Sequence, residues 1–305
     1  TLWHTLSLHD ALPIWKMKAE ILDGKALASE VRAEVMEGVD ELGFQPKLAT
    51  ILVGDNESSK LYLDLKQKAC LEVGIQTENH ELDESDTQSH LLDLIRGLNE
   101  DESVNGILLQ MPLPEGFDYK RVIQEIDPLK DVDGFTQENL GLLCQGQEGL
   151  VSATAKGIIR LLEEYEIELE GKDVIIVNHT IVVGRPLSLM CMNRNATVCV
   201  CNEYTKNLRN HALKADILVS AVGVSDLIKA SMVKKGAVVV DAGVSRVDGV
   251  VRGDADFKGV SEKASMITPV PGGVGPMTIA CLLENTLKAA SLQKTCHSYD
   301  AGCLS

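Results

Sequence analysis

Residues 172–201 read KDVIIVNHTIVVGRPLSLMCMNRNATVCVC, and this stretch is the clearest guide to the architecture. Its apolar run at Lys172–Val177 predicts a buried strand, Gly184–Asn195 predicts a helix, and Ala196–Cys201 predicts a second strand. Strands connected through a helix lie parallel and are joined by right-handed crossovers. The series continues with two further predicted strands, Asp216–Val219 and Ala237–Asp241. This order predicts a doubly wound, Rossmann-like sheet that binds a nucleotide.

The residues before this stretch show the same alternation of helix and strand. Helices are predicted over Gly24–Leu42, Ser58–Val73, Asp86–Leu98 and Ala155–Tyr165, and strands over Leu48–Val53, Ile75–Leu82 and Val104–Met111. Alternation of this kind is typical of an α/β protein with parallel sheets. We therefore expect a two-domain α/β fold in which the ligand-binding cleft lies between the domains.

The domain boundaries follow from where the pattern begins, changes and ends. The first domain is predicted over residues 17–150 and the Rossmann-type domain over residues 151–275. A helix over residues 276–292 is expected to return and complete the first domain. Residues 1–16 precede the first regular pattern, so we interpret them as an extension foreign to the fold. Residues 293–305 lack periodicity and are expected to form a disordered tail.

Charge and cysteine content argue against several classes of function. With 29 basic and 45 acidic residues the formal net charge is −16, which argues against nucleic acid or an anionic membrane as partner. No apolar run is long enough to span a bilayer. The eight cysteines form no C-x-x-C pair, so we expect reduced thiols and a cytoplasmic protein. Cys199 and Cys201 alternate along a predicted strand, and we interpret them as buried thiols; no metal site is expected.

The run Thr268-Pro-Val-Pro-Gly-Gly-Val-Gly-Pro-Met-Thr278 comes directly before a predicted helix over Ile279–Ala290. Prolines fix the backbone and glycines leave it bare, so a stiff segment of this kind can approach a flat ligand closely. An ordinary helix-entry turn is the alternative. We call residues 268–278 the proline–glycine strip and expect it to line the cleft.

Tyr62 and Lys66 lie four residues apart on a predicted helix and therefore share a face. A lysine that is shielded from water has a lowered pKa and can exchange a proton near neutrality. Gln110 ends a predicted strand, where an amide faces the ligand crevice and can orient an amine. The same spacing also occurs by chance on solvated helices, and a residue at a strand end can point to water.

Asp131 and Asp133 stand in the segment Lys130-Asp-Val-Asp-Gly134. A carboxylate in such a turn can accept two parallel N–H donors from the amidine edge of a heterocycle. The alternative is an aspartate that only caps or shapes the turn. No third ligand stands at a spacing that would suit a metal ion.

Four segments occur in the order and at the spacing of one enzyme family. They are Tyr62-x-x-x-Lys66-x-Lys68-Ala69, Gln110-Met-Pro112, Lys130-Asp-Val-Asp-Gly134 and Pro269-Val-Pro-Gly-Gly-Val-Gly-Pro-Met-Thr278. Through them residues 17–293 resemble the bifunctional methylenetetrahydrofolate dehydrogenase/methenyltetrahydrofolate cyclohydrolase family, the FolD-type enzymes. The resemblance implies hydride transfer from 5,10-methylenetetrahydrofolate to a nicotinamide nucleotide, then hydrolysis of the methenyl product to 10-formyltetrahydrofolate. It also implies a homodimer.

The resemblance further implies the roles of individual residues. Lys66 would be the catalytic lysine, with Gln110 hydrogen-bonded to it. Tyr62 would stack on the folate and Asp133 would bind its pterin edge, which completes the set of catalytic residues. The remaining folate-lining residues would be Leu109, Met111, Pro271, Gly272, Gly273, Val274, Gly275, Pro276, Met277, Thr278 and Ile279.

The nucleotide loop departs from the family pattern Gly-Arg-Ser-x-Ile-Val-Gly-x-Pro. Here it reads Asn178-His-Thr-Ile-Val-Val-Gly-Arg-Pro186. The cofactor-binding residues predicted from it and from later positions are Asn178, His179, Thr180, Gly184, Glu203 and Val244. Glu203 follows the second nucleotide strand, where an acidic residue accepts hydrogen bonds from ribose hydroxyls and repels a 2′-phosphate. NAD is therefore favoured over NADP, unless Glu203 points to solvent and His179 serves NADP.

Other functions remain open at this point. The chain could be a dehydrogenase or a cyclohydrolase of the same family with only one activity. It could also be a folate-binding protein in which Asn178 and Glu203 impair the nucleotide site.

Overall fold

A computed structural model describes residues 19–302, without the side chains of residues 57–59, 61 and 297–302. The predicted extension over residues 1–16 lies outside the described residues. The strands are β1 (Glu20–Ile21), β2 (Lys47–Val53), β3 (Gln76–Leu82), β4 (Gly106–Leu109), β5 (Asp173–Val177), β6 (Thr197–Cys201), β7 (Ile217–Ser220), β8 (Val238–Asp241), β9 (Ser245–Val247), β10 (Val250–Arg252) and β11 (Met266–Ile267). The helices are α1 (Gly24–Leu42), α2 (Glu57–Glu72), α3 (Gln88–Glu100), α4 (Tyr119–Gln124), α5 (Gln137–Cys144), α6 (Ala153–Glu164), α7 (Gly184–Asn193), α8 (Leu208–Ala212), α9 (Phe257–Ser261) and α10 (Val274–Gly302). Within this described part, no helix is both long enough and apolar enough to cross a membrane.

The first half of the chain builds a three-stranded parallel sheet in the order β3-β2-β4. Its central strand β2 is apolar and buried over nearly its whole length, as expected for a strand covered on both faces. Helix α1 ends at Gly43, whose φ of 80° is the left-handed conformation that glycine adopts without strain. Gln110 directly follows the carboxyl end of β4.

The second half builds a six-stranded sheet in the order β1-β11-β8-β7-β5-β6, and every pairing in it is parallel. The chain runs from β5 outward to β6 and then crosses back to β7 on the other side of β5. The strand order therefore reverses at the carboxyl end of β5, which is where nucleotides bind in sheets of this type. Both sheets confirm the predicted α/β fold with a Rossmann-like second half.

Helix α10 connects the two sheets by packing against both α1 and α6. The buried amide of Asn285 donates to the carbonyl oxygens of Val132 and Val151, which belong to the end of the first half and the start of the second. One cluster of buried apolar side chains extends from α1 through α10 to α6 and β5.

The structure corrects the expected boundaries at both ends of the described chain. Strand β1 adds to the edge of the second sheet, although residues 17–150 were assigned to the first domain. A two-residue strand has no sequence period, so its pairing could not be predicted. The disordered tail predicted from residue 293 is also wrong for residues 293–302, which continue α10. Gln293 is buried there and donates to the carbonyl oxygens of Asn105 and Leu129.

Candidate active site

Lys66 lies on α2, and only 8% of its surface is exposed. Its Nζ donates a hydrogen bond to Oε1 of Gln110 over 3.1 Å. The Gln110 amide in turn donates from Nε2 to the carbonyl oxygen of Met111, which fixes its oxygen toward the lysine. The lysine Nζ also lies 4.7 Å from the centre of the Tyr62 ring. Helix α2 and the end of β4 thus hold a recessed amine between an amide and an aromatic face.

The electrostatics of this site centre on Lys66 and Asp133. Burial lowers the pKa of Lys66, while the nearby Asp133 and Cys70 oppose that shift. Burial also raises the pKa of Asp133 to about 7, with Asp131 adding to the rise and Lys66 opposing it. Each group therefore exchanges its proton closer to neutrality than in water. The pKa of Tyr62 is raised by burial and by Asp133, so its phenol stays neutral.

The proline–glycine strip closes the site from the second half of the chain. The Thr278 hydroxyl contacts the Tyr62 hydroxyl and lies 3.2 Å from that of Thr154 at the start of α6. The Val270–Pro271 peptide is cis, as is Met111–Pro112 beside Gln110. An ideal Cβ placed on Gly24 would lie 1.9 Å from the carbonyl oxygen of Gly273, so the strip packs directly on the start of α1.

The strip does not present all of the residues that were expected to line the folate. Pro271 and Gly275 are exposed and Gly272, Pro276, Thr278 and Ile279 are half-buried. Val274 and Met277 instead pack in the hydrophobic core, so their side chains do not face the cleft. The motif could not separate them because the helix period turns these positions inward from the first turn of α10.

Leu109 and Met111 flank Gln110, as the motif order implied. Together with Asp133 and Phe135 they line one small cavity. Leu109 is buried and Met111 is half-buried, so Met111 is the more accessible of the two. Apolar side chains of this cavity therefore lie next to the carboxyl group of Asp133.

The loop between β5 and α7 is held by the side chain of Asn178. Its Oδ1 accepts hydrogen bonds from the backbone nitrogens of Thr180 and Gly184 and from the Thr180 hydroxyl. Its Nδ2 donates to the carbonyl oxygen of Ala221 at the end of β7. Asn178 keeps a negative φ, so the left-handed conformation that a glycine could adopt here is not needed. Gly184 is required, since a Cβ there would lie 2.0 Å from the Asn178 carbonyl oxygen.

His179 and Glu203 face each other across the carboxyl ends of β5 and β6. His179 Nδ1 lies 3.7 Å from Oε2 of Glu203, and the two side chains are 43% and 61% exposed. Arg185 donates from Nε to the carbonyl oxygen of His179, which ties it to the loop backbone. Glu203 is therefore turned toward the nucleotide loop.

Sequence comparison then relates this geometry to known proteins. A profile described as the tetrahydrofolate dehydrogenase/cyclohydrolase catalytic domain matches residues 22–133, and one described as the NAD(P)-binding domain of the same proteins matches residues 152–294. The bifunctional protein FolD of Methanosarcina mazei is 50% identical over 277 residues, covering 90% of this chain and 96% of that protein. The chain belongs to the tetrahydrofolate dehydrogenase/cyclohydrolase family.

Two solved structures of the family resemble the whole described fold. The bifunctional FolD dehydrogenase/cyclohydrolase of Campylobacter jejuni is 47% identical with a TM-score of 0.87, over 90% of this chain and 99% of that one. The FolD enzyme of Trypanosoma brucei, solved with NADP and an inhibitor, is 33% identical with a TM-score of 0.86, over 90% of this chain and 98% of that one. The resemblance inferred from the motifs is thereby confirmed.

The NAD(P)-binding domain of this family member has features that fit a dinucleotide. At the start of α7 the backbone nitrogen of Gly184 donates to Oδ1 of Asn178 and that of Arg185 donates to the carbonyl oxygen of Thr180, so hydrogen bonds within the protein fix this loop. Val222, Val224 and Val244 are apolar yet exposed at the carboxyl edge of β7 and β8, and Val244 reaches 63% exposure. Such a surface suits the face of a nicotinamide ring.

A buried aspartate that sequence reasoning missed supports this surface. Asp254 is fully buried and accepts hydrogen bonds from the Ser220 hydroxyl and from the backbone nitrogens of Val222 and Val224. Asp241 accepts from the backbone nitrogens of Asp254 and Ala255.

The side chain of each aspartate packs directly against the Cα of a glycine, where no side chain would fit. A Cβ on Gly243 would lie 2.1 Å from Asp254, and one on Gly253 would lie 2.1 Å from Asp241. The paired segments Asp241-Ala-Gly243 and Gly253-Asp254 are the sequence signal that could have revealed this arrangement.

Proposed function

We propose that this chain oxidises 5,10-methylenetetrahydrofolate to 5,10-methenyltetrahydrofolate with a nicotinamide nucleotide and then hydrolyses the product to 10-formyltetrahydrofolate. The observation that carries the proposal is the recessed Lys66 amine, bonded to Gln110 and faced by Asp133 and Tyr62 beneath the proline–glycine strip. One cleft with these groups can hold a pterin ring and act on its one-carbon unit.

In this proposal Asp133 binds the amidine edge of the pterin through two parallel N–H···O bonds. Its raised pKa leaves part of the population protonated near pH 7, and the N–H donors of the ligand favour the ionised form. Tyr62 lies beside the lysine, so its ring covers one face of the bound ligand. These contacts orient the one-carbon unit toward the Lys66 amine.

A bound nicotinamide nucleotide supplies the acceptor for the hydride that leaves the methylene carbon. In the hydrolytic step a water molecule attacks the methenyl carbon, and the neutral amine of Lys66 takes the proton that the water loses. The bond from that carbon to N5 then breaks, N5 takes up a proton, and the carbon stays on N10 as the formyl group. The lowered pKa of Lys66 makes that neutral form more accessible than for a solvated lysine. Gln110 holds the amine in place and, because it is uncharged, does not fix the amine in its protonated form.

We further propose that the nucleotide is NAD rather than NADP. Glu203 lies against His179 at the carboxyl end of β6, where a ribose would be bound. A carboxylate about 4 Å from a unit of phosphate charge is repelled by about 1 kcal/mol in water and about 4 kcal/mol near a protein surface. Since a factor of ten corresponds to about 1.4 kcal/mol, NAD should be preferred about fivefold or more.

The test measures initial rates of methylenetetrahydrofolate oxidation with each nucleotide, and hydrolysis of supplied methenyltetrahydrofolate separately. We expect both activities, with the higher dehydrogenase kcat/KM for NAD. Glu203→Gln should narrow the preference, whereas Glu37→Gln, the same charge change on the exposed face of α1, should not. A large NADP advantage in the unaltered chain would refute the cofactor preference, and the lack of any nucleotide-dependent rate would refute the dehydrogenase.

The family resemblance also supports a homodimer, which analytical ultracentrifugation would test. All seven cysteines among the described residues are free thiols, which supports a reducing compartment such as the cytoplasm.

A further inference from the structure

Three metal-binding side chains meet at the outer edge of the second sheet, away from the folate cleft. Cys199 and Cys201 lie two residues apart on the edge strand β6, so their side chains project from the same face of the sheet. His211 lies on α8, which packs over that face. Their ligand atoms all lie within 4.8 Å of one another. Cys199 Sγ is 3.6 Å from Nδ1 of His211.

The Cys199–His211 distance matches one edge of a tetrahedral zinc site. Zinc binds sulfur at about 2.3 Å and imidazole nitrogen at about 2.0–2.1 Å. Tetrahedral angles then place the sulfur and nitrogen ligands about 3.6 Å apart, and two sulfur ligands about 3.8 Å apart. The observed separation of Cys199 and His211 agrees with the first value. The whole group lies within 4.8 Å, so the remaining ligand atoms would move closer by up to about 1 Å on binding the ion.

We propose that Cys199, Cys201 and His211 bind one Zn²⁺ ion. Thiolate and imidazole are the donors that this borderline-soft cation prefers, and the net charge of −16 favours the approach of cations. Cys199 and His211 are half-buried, so an ion can reach them from solvent. Cys201 is buried and would bind the side of the ion that faces the protein interior. Within residues 19–302 the group has three members, which leaves the fourth position to water.

The site would act on the neighbouring turn that carries Glu203. Residue 202 follows Cys201 directly, and the turn is closed by a hydrogen bond from the Asn202 backbone nitrogen to the Thr205 hydroxyl. An ion that joins the end of β6 to α8 would restrain both ends of this turn. The role is therefore structural, and the ion takes no part in hydride transfer or hydrolysis.

This proposal replaces the expectation that Cys199 and Cys201 are simply buried thiols. The two cysteines alone gave too few ligands, and His211 lies ten residues beyond Cys201 in a segment with no recognised metal-binding spacing. A thiol–imidazole hydrogen bond between Cys199 and His211 would give the same 3.6 Å contact without any metal. The experiment must therefore distinguish these two states.

The test titrates Co²⁺ into the reduced, chelator-stripped full chain and follows the visible spectrum. One equivalent of Co²⁺ should produce the intense bands of tetrahedral coordination and a thiolate charge-transfer band, and Zn²⁺ should abolish them by displacement. Cys199→Ser and His211→Gln should weaken binding by more than the 10–100-fold that loss of an outer-shell partner costs. Both positions are half-buried, and thermal unfolding followed by circular dichroism verifies that each variant folds.

Cys144→Ser and His90→Gln are the matched controls, because both side chains are exposed and lie outside the group. They should bind Co²⁺ as the unaltered chain does. The proposal is overturned if the chain takes up no stoichiometric Co²⁺ or Zn²⁺, or if the bands persist in folded Cys199→Ser and His211→Gln variants.

Discussion

Replacing Asp133 by asparagine should stabilise the ligand-free chain at pH 8 much more than at pH 5. The pKa of this carboxyl is raised from 3.8 to about 7, chiefly by burial. Below pH 3.8 the Asp133 carboxyl is protonated in both the folded and the unfolded chain, so its pKa shift does not change the unfolding free energy. Between that pH and about 7 the unfolded chain loses the proton and the folded chain keeps it, so stability falls as pH rises.

The size of the effect follows from the same shift. Each pH unit in that window costs about 1.36 kcal/mol of unfolding free energy. From pH 5 to the folded pKa of about 7 there are about two units, so the stabilisation by Asp133→Asn should grow by about 3 kcal/mol between pH 5 and pH 8. Titrating groups that do not interact with Asp133 contribute equally to both proteins and cancel in the difference. Lys66 is the exception, because Asp133 raises its pKa, and the Lys66→Met background removes its contribution.

Urea unfolding of the two proteins at pH 5 and pH 8 measures this quantity. In the Lys66→Met background the positive charge that lowers the pKa of Asp133 is gone, so that pKa rises further. The pH dependence of the Asp133→Asn effect should then extend to higher pH. An Asp133→Asn effect that is equal at the two pH values would show that the carboxyl is not desolvated as described.

Three further variants test the site and its support. Lys66→Met should lower the rate of methenyltetrahydrofolate hydrolysis by about 10²–10⁴-fold, the usual contribution of a general base; an unchanged rate would remove Lys66 from that role. Gly184→Ala should lower dehydrogenase kcat/KM by about 10²-fold through a displaced nucleotide loop while hydrolysis continues, and equal loss of both activities would contradict this. Gly24→Ala forces a contact with Gly273 and should cost about 1–3 kcal/mol in urea unfolding. Gly97→Ala on α3, where a Cβ meets no atom within 4 Å, should stabilise by up to about 1 kcal/mol.

The parts of the fold that sequence could predict are those with a long, regular period. Helix α1 begins and ends at the predicted residues, because Asp23 caps its start and Gly43 ends it in a left-handed conformation. Strand β5 differs from its prediction by one residue, since a continuous apolar run is typical of a strand buried on both faces.

Features that depend on contacts between distant segments could not be predicted. Strand β1 is defined only by its pairing with β11, and the buried bonds of Gln293 reach across to Asn105. Likewise, His211 joins the two cysteines only because α8 folds over the edge of β6. Neither periodicity nor motif spacing contains this information.

The candidate folate site was predicted more completely than the nucleotide site. Tyr62, Lys66 and Gln110 belong to short motifs on adjacent elements, and the structure brings them into contact. The conformation of the nucleotide loop could not be predicted, because Asn178 stands where the family pattern has glycine. Its side chain shapes the loop through hydrogen bonds to Thr180 and Gly184 that the sequence does not show.

The double attachment of α10 means that neither half of the chain is an independent module. A fragment that stopped at residue 150 would leave the apolar side of α1 uncovered, and one that started at residue 151 would carry Leu282 and Leu283 without the partner helix that helps to bury them. Insertions or gene fusions that preserve activity are therefore expected at the outer ends of the chain or in surface turns. Exchange of one half for that of a distant relative should succeed only when the surfaces of α1 and α6 that meet the last helix are both preserved.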